Sequence, residues 1–146
     1  MIQNLDLPEY QQQVVRKAEK LWIFDTIRKK YVLLTPEEWV RQQIVCWLSE
    51  QYHYPKNLMQ IEKGHYYHQK AKRTDIVVYD REGKPFMLIE CKAMNVSLSQ
   101  EVCEQAFLYN QTLQAPYVLL TNGLSYALMS FSENGFAFLE KIPEFA

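Results

Sequence analysis

Three charged residues interrupt an otherwise apolar stretch of this chain, and together they could carry out metal-assisted chemistry. Asp75 opens a predicted strand over residues 76–79, and Glu90 and Lys92 stand at the end of a second predicted strand. Both strands are rich in β-branched, aromatic or other apolar residues. Because side chains alternate along a strand, Glu90 and Lys92 share one face, roughly 6.6 Å apart along the chain, and Cys91 points to the other face.

A hairpin of these two strands would bring Asp75 close to Glu90 on the same face. Two adjacent carboxylates repel each other unless a proton or a divalent cation lies between them. Mg²⁺ or Mn²⁺ on such a pair polarises a phosphoryl group and lowers the pKa of bound water. Lys92 would act as a point charge on the phosphate or the attacking water. The trio predicts phosphodiester hydrolysis; the remote alternative is a salt-bridge cluster in a structural domain.

The residues around this trio predict an α/β fold with a mixed sheet flanked by helices. Pro36 follows Thr35, a good capping residue, so a helix is expected from there to about Glu50. A second helix is expected from a cap at Ser97 to about Leu113, and it would cross over to a parallel strand. The predicted apolar faces are Val40, Ile44, Trp47 and Leu48 in the first helix, and Val102, Cys103, Ala106 and Phe107 in the second.

Further strands are expected on either side of this core. Apolar runs at 21–24 and 31–34 predict a hairpin on the outside of the domain, and Arg28, Lys29 and Lys30 read as a solvated turn. A short strand is expected at 58–62. The C-terminal strands are predicted at 116–121, 125–131 and 136–140, with turns at Asn122-Gly123 and at 133–135.

Length and composition suit one soluble domain, with residues 1–34 as an extension and 35–146 as the core. Of 146 residues, 48% are hydrophobic and 23% are charged, and the net charge of -1 argues against indiscriminate polyanion binding. No apolar run approaches the roughly 20 residues that span a bilayer, and the N-terminus lacks a signal-peptide pattern. Three cysteines without CxxC spacing predict buried, reduced thiols in a cytoplasmic protein.

Glu38 has two interpretations. It stands three residues after Thr35, where a capping-box glutamate has a purely structural role. It also shares a helix face with Gln42, from which it could reach the metal site as a third acidic group. The two roles compete for the same carboxylate.

A basic segment over residues 63–73 leads directly into Asp75. It contains two histidines, two tyrosines and no acidic residue, and its cations include Lys70, Lys72 and Arg73. A basic segment with aromatic residues beside a carboxylate cluster suits a phosphate-bearing partner such as DNA. The alternative is a solvated loop.

Thr74-Asp75 and Glu90-Cys91-Lys92 resemble the PD-(D/E)xK nuclease signature, with Thr74 in the place of its proline. The wider chain resembles the N-terminal domain of type I restriction enzyme R subunits, and the likeness covers most of its length. The matching stretches are TPEEWVRQ at 35–42, KRTDIVVYD at 72–80, IECKA at 89–93, Gln105-x-x-x-Tyr109 with Asn110, and LLTNG at 119–123.

The resemblance implies a restriction-endonuclease-like αβββαβ core with an extra N-terminal hairpin and C-terminal strands. It implies that Asp75 and Glu90 bind Mg²⁺ or Mn²⁺, with the backbone carbonyl of Cys91 as a further ligand. It implies that Lys92 assists the attacking water.

The resemblance also extends the set of candidate site residues. It implies an active-site or DNA-contact role for Gln105 and Tyr109. It favours Glu38 as a neighbour of the metal, with Glu37 as its competitor. The implied partners are double-stranded DNA, methylase and specificity subunits, and an ATP-driven translocase segment.

No GxxxxGK[ST] motif for that translocase occurs in the sequence. The chain is therefore either a domain of a larger protein or a stand-alone relative. Because the resemblance implies that cleavage depends on the rest of the complex, weak or absent activity is expected of the isolated domain. The second hypothesis for function is a catalytically silent module of the same fold that binds nucleic acid or a partner subunit.

Overall fold

The computed structural model describes residues 1–61, 65–67, 70–72 and 76–145, with residues 65–67 and 70–72 described as backbone. The strands are β1 (Ile2–Asn4), β2 (Val14–Lys17), β3 (Lys20–Asp25), β4 (Lys30–Leu33), β5 (Met59–Gln60), β6 (His65–Tyr67), β7 (Lys70–Lys72), β8 (Ile76–Tyr79), β9 (Pro85–Cys91), β10 (Tyr117–Thr121), β11 (Ser125–Ser132) and β12 (Gly135–Leu139). The helices are α1 (Pro36–Cys46), which continues into a π-helical turn (Trp47–Gln51), a short 3₁₀ helix (Lys56–Leu58) and α2 (Gln100–Leu113).

The main sheet has the strand order β1-β11-β10-β9-β8-β5, and β12 pairs with β11 beside β1. β9 and β10 are parallel, and the other described pairs of this sheet are antiparallel. Along the chain, α1, three strands of this sheet, α2 and β10 follow one another, which confirms the predicted αβββαβ core. α2 is the predicted crossover between the parallel strands.

The two faces of the sheet carry separate apolar clusters. On one face, Met87 and Ile89 of β9 join a cluster with Ile44 of α1 and Leu48 of the π-helical turn. On the other face, Leu88 belongs to a cluster with Ala106 of α2 and strands β8 and β10. Burying one aliphatic side chain of this size stabilises a fold by about 1.5–3 kcal/mol. Both faces of β9 are therefore fixed by core packing.

The helix starts follow from capping, with one correction. Thr35 accepts a hydrogen bond from the backbone N–H of Glu38, and Pro36 occupies the first helical position, as predicted. The cap of α2 is Ser99, so the prediction of Ser97 was wrong. Ser99 has the extended backbone that a cap needs, and its Oγ accepts from the N–H of Val102 at 3.2 Å.

The N-terminal residues form more sheet than predicted. β3 and β4 confirm the predicted hairpin, but β2 adds a third strand, so this separate sheet has the order β2-β3-β4. The turn between β2 and β3 holds Ala18 and Glu19 in the left-handed region without any glycine. β1 pairs with β11 and thereby joins the main sheet. These two strands were missed because neither has a local turn signal of the usual composition.

The three cysteines are free thiols. Cys91 and Cys103 are buried, as predicted, whereas Cys46 is half-buried and its Sγ accepts from the side-chain amide of Gln12. Burial raises the pKa of Cys46 and of Cys103. In the described parts of the chain, the helices are too short and too polar to cross a bilayer.

Asn110 fixes the end of α2. Its buried side-chain amide donates to the carbonyl oxygen of Ala115 and accepts from the N–H of Ala115, both at 2.9 Å. The chain between them turns through Gln114, whose backbone is left-handed. The amide thus satisfies two backbone groups that burial would otherwise leave without hydrogen bonds.

We predict that Asn110→Ala lowers the free energy of unfolding by about 2–4 kcal/mol, because it leaves a buried N–H and a buried C=O of Ala115 unsatisfied. Urea denaturation followed by circular dichroism measures the effect. Gln111→Ala is the matched control, since Gln111 is the exposed neighbour. Equal decreases in the two variants would show that the Asn110 amide does not stabilise the turn.

Candidate active site

The C-terminal end of β9 places Glu90 and Lys92. Glu90 is opposite Leu120 and Cys91 is opposite Thr121 in the parallel pair with β10. The N–H of Lys92 donates to the carbonyl oxygen of Thr121 at 2.8 Å, which continues this ladder one residue past β9. The backbone of residues 90–92 is therefore anchored to β10 where the strand ends.

Glu90 lies on the α2 face of the sheet. Ile89 and Cys91 belong to the α1-side cluster, so alternation turns the side chain between them to the opposite face. Glu90 is buried, at 7% exposure, and Lys92 is half-buried. The structure thus confirms that Cys91 faces away from Glu90.

Asp75, Thr74 and Arg73 lie outside the described residues, and so do the side chains of Lys70 and Lys72. The predicted pairing of the two strands next to Asp75 is confirmed, because Ile76 is opposite Ile89 in the antiparallel pair of β8 and β9. Among the side chains that the structure describes, His, Cys, Asp and Glu form no group of three suited to a metal ion. The predicted metal ligands therefore stay a prediction.

The donor types at this end of β9 suit a hard cation. Glu90 offers carboxylate oxygens, and the thiol of Cys91 is directed into the α1-side cluster, so Cys91 has only its carbonyl oxygen to offer. Oxygen donors without a thiolate are the set that Mg²⁺ and Mn²⁺ prefer. The residues present fit the predicted ion.

Glu38 is buried within a network of opposite charges. Its Oε1 accepts from Nη2 of Arg28 and from Nε2 of Gln42, each at 3.1 Å, and its Oε2 accepts from Nη1 of Arg41. Arg28 also bonds through Nε to the fully buried Asp25 at 2.5 Å. The network balances two carboxylates with two guanidinium groups.

These contacts favour the structural interpretation of Glu38. A carboxylate that already accepts from two guanidinium groups has little charge left to offer a cation. Its role as a metal ligand stays a prediction. The interpretation of Arg28 as part of a solvated turn was wrong, since its guanidinium joins the N-terminal sheet to α1. The Asp-x-x-Arg spacing at 25–28 was the signal for this pair.

α2 carries the remaining candidates, and the structure separates them by exposure. Gln105 is exposed, whereas Tyr109 is half-buried and packs against the cluster that contains Leu88 and Ala106. Tyr109 is therefore on the same face of the sheet as Glu90. Gln105, one residue before the buried Ala106, is directed toward solvent.

Sequence reasoning missed two residues that position the end of β9. Asn122 donates from its side chain to the carbonyl oxygen of Val96 at 2.8 Å, and so holds the segment that follows Lys92. Its Oδ1 accepts from the N–H groups of Leu124 and Ser125. Thr121 is fully buried and donates to the carbonyl oxygen of Ser125. The LLTNG stretch is the signal, because Thr and Asn bond to their own turn.

Gly123 completes this turn. Its backbone is left-handed, at φ +86°, and a Cβ at this position would lie 3.4 Å from the side chain of Val40 in α1. The left-handed backbone favours glycine, whereas a Cβ would only be in ordinary van der Waals contact with Val40. The turn that holds Val96 is thereby packed against α1.

The basic segment contains a short antiparallel pair, in which His65 is opposite Lys72 and Tyr67 is opposite Lys70. No strand was predicted here, so this pair is an addition to the predicted strands. Whether this segment binds phosphate or is a solvated loop depends on side chains outside the described residues. The phosphate-binding role therefore stays a prediction.

The fold is similar to that of a solved protein fragment. This fragment is described as a putative HsdR subunit of a type I restriction enzyme from Vibrio vulnificus YJ016, and it matches with a TM-score of 0.50 and 18% sequence identity. The match covers 76% of this chain and 24% of that chain, so the chain spans about a quarter of the length of that fragment. None of the curated proteins matches this sequence.

The family comparison covers most of the sequence. The model of the type I restriction enzyme R protein N terminus matches residues 36–143, from the first helical residue to beyond β12. The match includes α1, β9, α2 and the LLTNG turn, the elements that position the candidate site. The chain therefore belongs to the family of type I restriction enzyme R protein N-terminal domains.

Proposed function

We propose that this domain is the Mg²⁺-dependent endonuclease domain of a type I R subunit and hydrolyses phosphodiester bonds in double-stranded DNA. The observation that supports this most is the register of β8 and β9. Ile76 and Ile89 are opposite each other, and the next residue along the second strand is Glu90, buried at its end. Asp75 is bonded to Ile76, so we expect the two carboxylates to be neighbours.

In this proposal Asp75, Glu90 and the carbonyl oxygen of Cys91 hold the metal ion. When bound, the ion supplies charge stabilisation for the phosphoryl group and a lowered pKa for bound water. Glu90 is suited to hold a fixed position, because its strand is paired on both sides. Its burial also limits competition from solvent for the carboxylate.

Lys92 is assigned the water-orienting role. It is two residues from Glu90, so its side chain leaves the same side of the chain, and its N–H is held by Thr121. Being half-buried, the amine can reach a phosphate at the edge of the site. The exposed Gln105 and the half-buried Tyr109 are assigned to DNA contact from α2.

The second candidate is a module of the same fold that binds nucleic acid or a partner subunit without cutting. The net charge of -1 is consistent with the form of this module that binds a partner subunit, because a domain that holds DNA alone usually carries more positive charge. In both cases the proposed partners are DNA, methylase and specificity subunits, and a translocase segment.

Metal binding is tested by thermal denaturation with Mn²⁺ or Mg²⁺. We expect stabilisation of about 2.7 kcal/mol when the free ion is at about 100 times its dissociation constant. Glu90→Gln should abolish this stabilisation. Glu82→Gln, which changes an exposed glutamate in the same hairpin, should retain it. Equal stabilisation of both variants by the metal would remove Glu90 from the site.

Catalysis is tested by nicking of plasmid DNA. Asp75→Ala and Lys92→Ala should both reduce nicking by at least about 100-fold, the usual cost of losing such a group. Lys84→Ala is the control, since Lys84 is exposed at the other end of the hairpin. Cutting that survives in both variants would refute the site. Because weak activity is expected of the isolated domain, the silent module is favoured only if metal stabilisation is accompanied by no cutting when the domain is assembled with its complex.

DNA contact by the basic segment is tested by the salt dependence of binding. Replacing Lys70, Lys72 and Arg73 with alanine should reduce the slope of log Kd against log salt by up to about 0.9 for each phosphate that is no longer neutralised. The control replaces Arg16, Lys17 and Lys20 with alanine. These residues are exposed on the N-terminal sheet, so the control removes the same positive charge from another surface. An unchanged slope in the variant that lacks Lys70, Lys72 and Arg73 would show that the basic segment is a solvated loop.

The structural role of Glu38 is tested by urea denaturation in EDTA. We expect Glu38→Gln to lower the free energy of unfolding by about 2–3 kcal/mol, because it removes the buried carboxylate that the guanidinium groups of Arg28 and Arg41 share and leaves Asp25 as the carboxylate on Arg28. Glu37→Gln, one residue earlier and partly exposed, should change stability by no more than about 0.5 kcal/mol. A destabilisation that occurs only with Mn²⁺ present would instead make Glu38 a metal ligand.

A further inference from the structure

The N-terminal sheet concentrates positive charge. Residues 14–33 contain six lysines and arginines but two acidic residues, although the whole chain has a net charge of -1. Arg28 bonds to Asp25 and Glu38 within the domain. The other five are exposed and form no ion pair with a side chain that the structure describes: Arg16, Lys17, Lys20, Lys29 and Lys30. The sheet is therefore a positive region on an otherwise acidic domain.

One face of this sheet, its outer face, is aromatic. Ile23 and Asp25 of β3 are fully buried, so alternation places Trp22 and Phe24 on the opposite side of the strand. Tyr31 of β4 is opposite Phe24, and the two rings meet edge to face with centroids 5.2 Å apart. The strand register adds four more residues to the outer face: Val15, Lys17, Lys20 and Leu33.

The rings of the outer face are held in place and are partly open to solvent. The indole N–H of Trp22 donates to the carbonyl oxygen of Lys17 at 3.3 Å, which fixes the ring against β2. Tyr31 is 42% exposed, and Trp22 and Phe24 are half-buried. Because these rings already have fixed positions, a planar group that stacks on them orders few protein side chains.

The lysines of the outer face lack a counter-charge. Lys17 and Lys20 are opposite each other in the pair of β2 and β3. Like charges directly opposite each other in a sheet repel. An anion between the two ammonium groups would remove this repulsion, and phosphate is a common ligand of lysine. The outer face therefore places an anion-binding pair of cations beside a group of rings.

These features distinguish between the occupants that such a face could have. A second copy of the same face would bring lysines against lysines, which disfavours self-association. A neutral apolar protein surface would bury two ammonium groups without partners, at a high cost in free energy. A nucleic-acid strand supplies phosphates for the lysines and planar bases for the rings. In a duplex the bases are stacked on one another, so an unpaired strand is the form that fits.

We propose that the outer face of the N-terminal sheet binds single-stranded DNA. Bases stack on Trp22 and Tyr31, and phosphate oxygens accept hydrogen bonds from the two lysines. The family model begins at residue 36, after this sheet, so membership of the family assigns the sheet no role. The surface is also separate from the proposed metal site. Arg28 joins the N-terminal sheet to α1, whereas Glu90 lies on the α2 face of the main sheet.

The first test is the affinity for a fluorescein-labelled oligothymidylate of about 15 nucleotides. EDTA in the buffer removes divalent ions, so the result does not depend on the proposed metal site. We expect the single strand to bind at least about tenfold more tightly than a duplex of the same length, because the duplex offers no base faces to the rings. Equal affinities for the two forms would overturn the proposal.

The stacking role of the rings is tested at Tyr31. Tyr31→Ala should weaken binding of the single strand about tenfold, whereas Tyr31→Phe keeps the ring and should retain the affinity. Phe136→Ala is the matched control, since it removes a ring that is 51% exposed from the main sheet. Circular dichroism verifies that each variant is folded. Equal losses in Tyr31→Ala and Phe136→Ala would refute stacking on the outer face.

Trp22 provides a direct signal of stacking. A base stacked on the indole should quench its fluorescence when the oligothymidylate binds. Trp22→Phe should abolish the quenching and retain most of the affinity, because phenylalanine is also a stacking ring. Quenching that persists in this variant would arise from Trp39 or Trp47. It would place the strand on another surface and overturn the proposal.

The phosphate contacts are tested by the salt dependence of single-strand binding. Replacing both Lys17 and Lys20 with alanine should reduce the slope of log Kd against log salt by up to about 1.4, at about 0.7 for each phosphate. The slope for duplex DNA should not respond to this change. Replacing Lys29 and Lys30 is the control, because Lys30 is opposite Asp25 on the inner face and Lys29 precedes it in the turn. Equal reductions in the two variants would show general charge attraction and refute the assigned contacts.

Discussion

The register of β9 is the constraint on which the candidate site depends. β9 is paired on both sides and packed on both faces, with Met87 and Ile89 toward α1 and Leu88 toward α2. A shift of one residue would exchange these two sets and turn Glu90 into the α1-side core. The apolar residues therefore decide where the carboxylate points, although none of them has a chemical role.

The sheet also sorts the charges of the domain. On the α1 side, Asp25, Arg28, Glu38 and Arg41 form a balanced network that joins the N-terminal sheet to the first helix. On the α2 side, Glu90 follows the apolar part of β9. The first group uses its charges to hold elements together. Glu90, by contrast, has a fixed backbone position and carboxylate oxygens, as the proposed metal site requires.

Local signals predicted most of the fold, and long-range contacts account for the rest. Capping at Thr35 and the apolar runs of β8, β9 and β10 were sufficient for the core, because each depends on neighbouring residues. β1 was missed because its partner is more than a hundred residues away in the sequence. Arg28 was misinterpreted for a similar reason, since its pairing with Glu38 requires two separate elements to pack together. Exposure of Gln105 likewise depends on how α2 is rotated against the sheet.

The position of β1 has a consequence for how the chain is made. Its partner residues in β11 are 125–127, so β1 is synthesised before the other strands of this domain and cannot pair until β11 has followed. The parallel partner of β9 likewise follows only after the whole of α2. Synthesis therefore passes Thr121, at the end of β10, before the end of β9 is enclosed on both sides. A product terminated before β10 would lack the strand that anchors the backbone of residues 90–92.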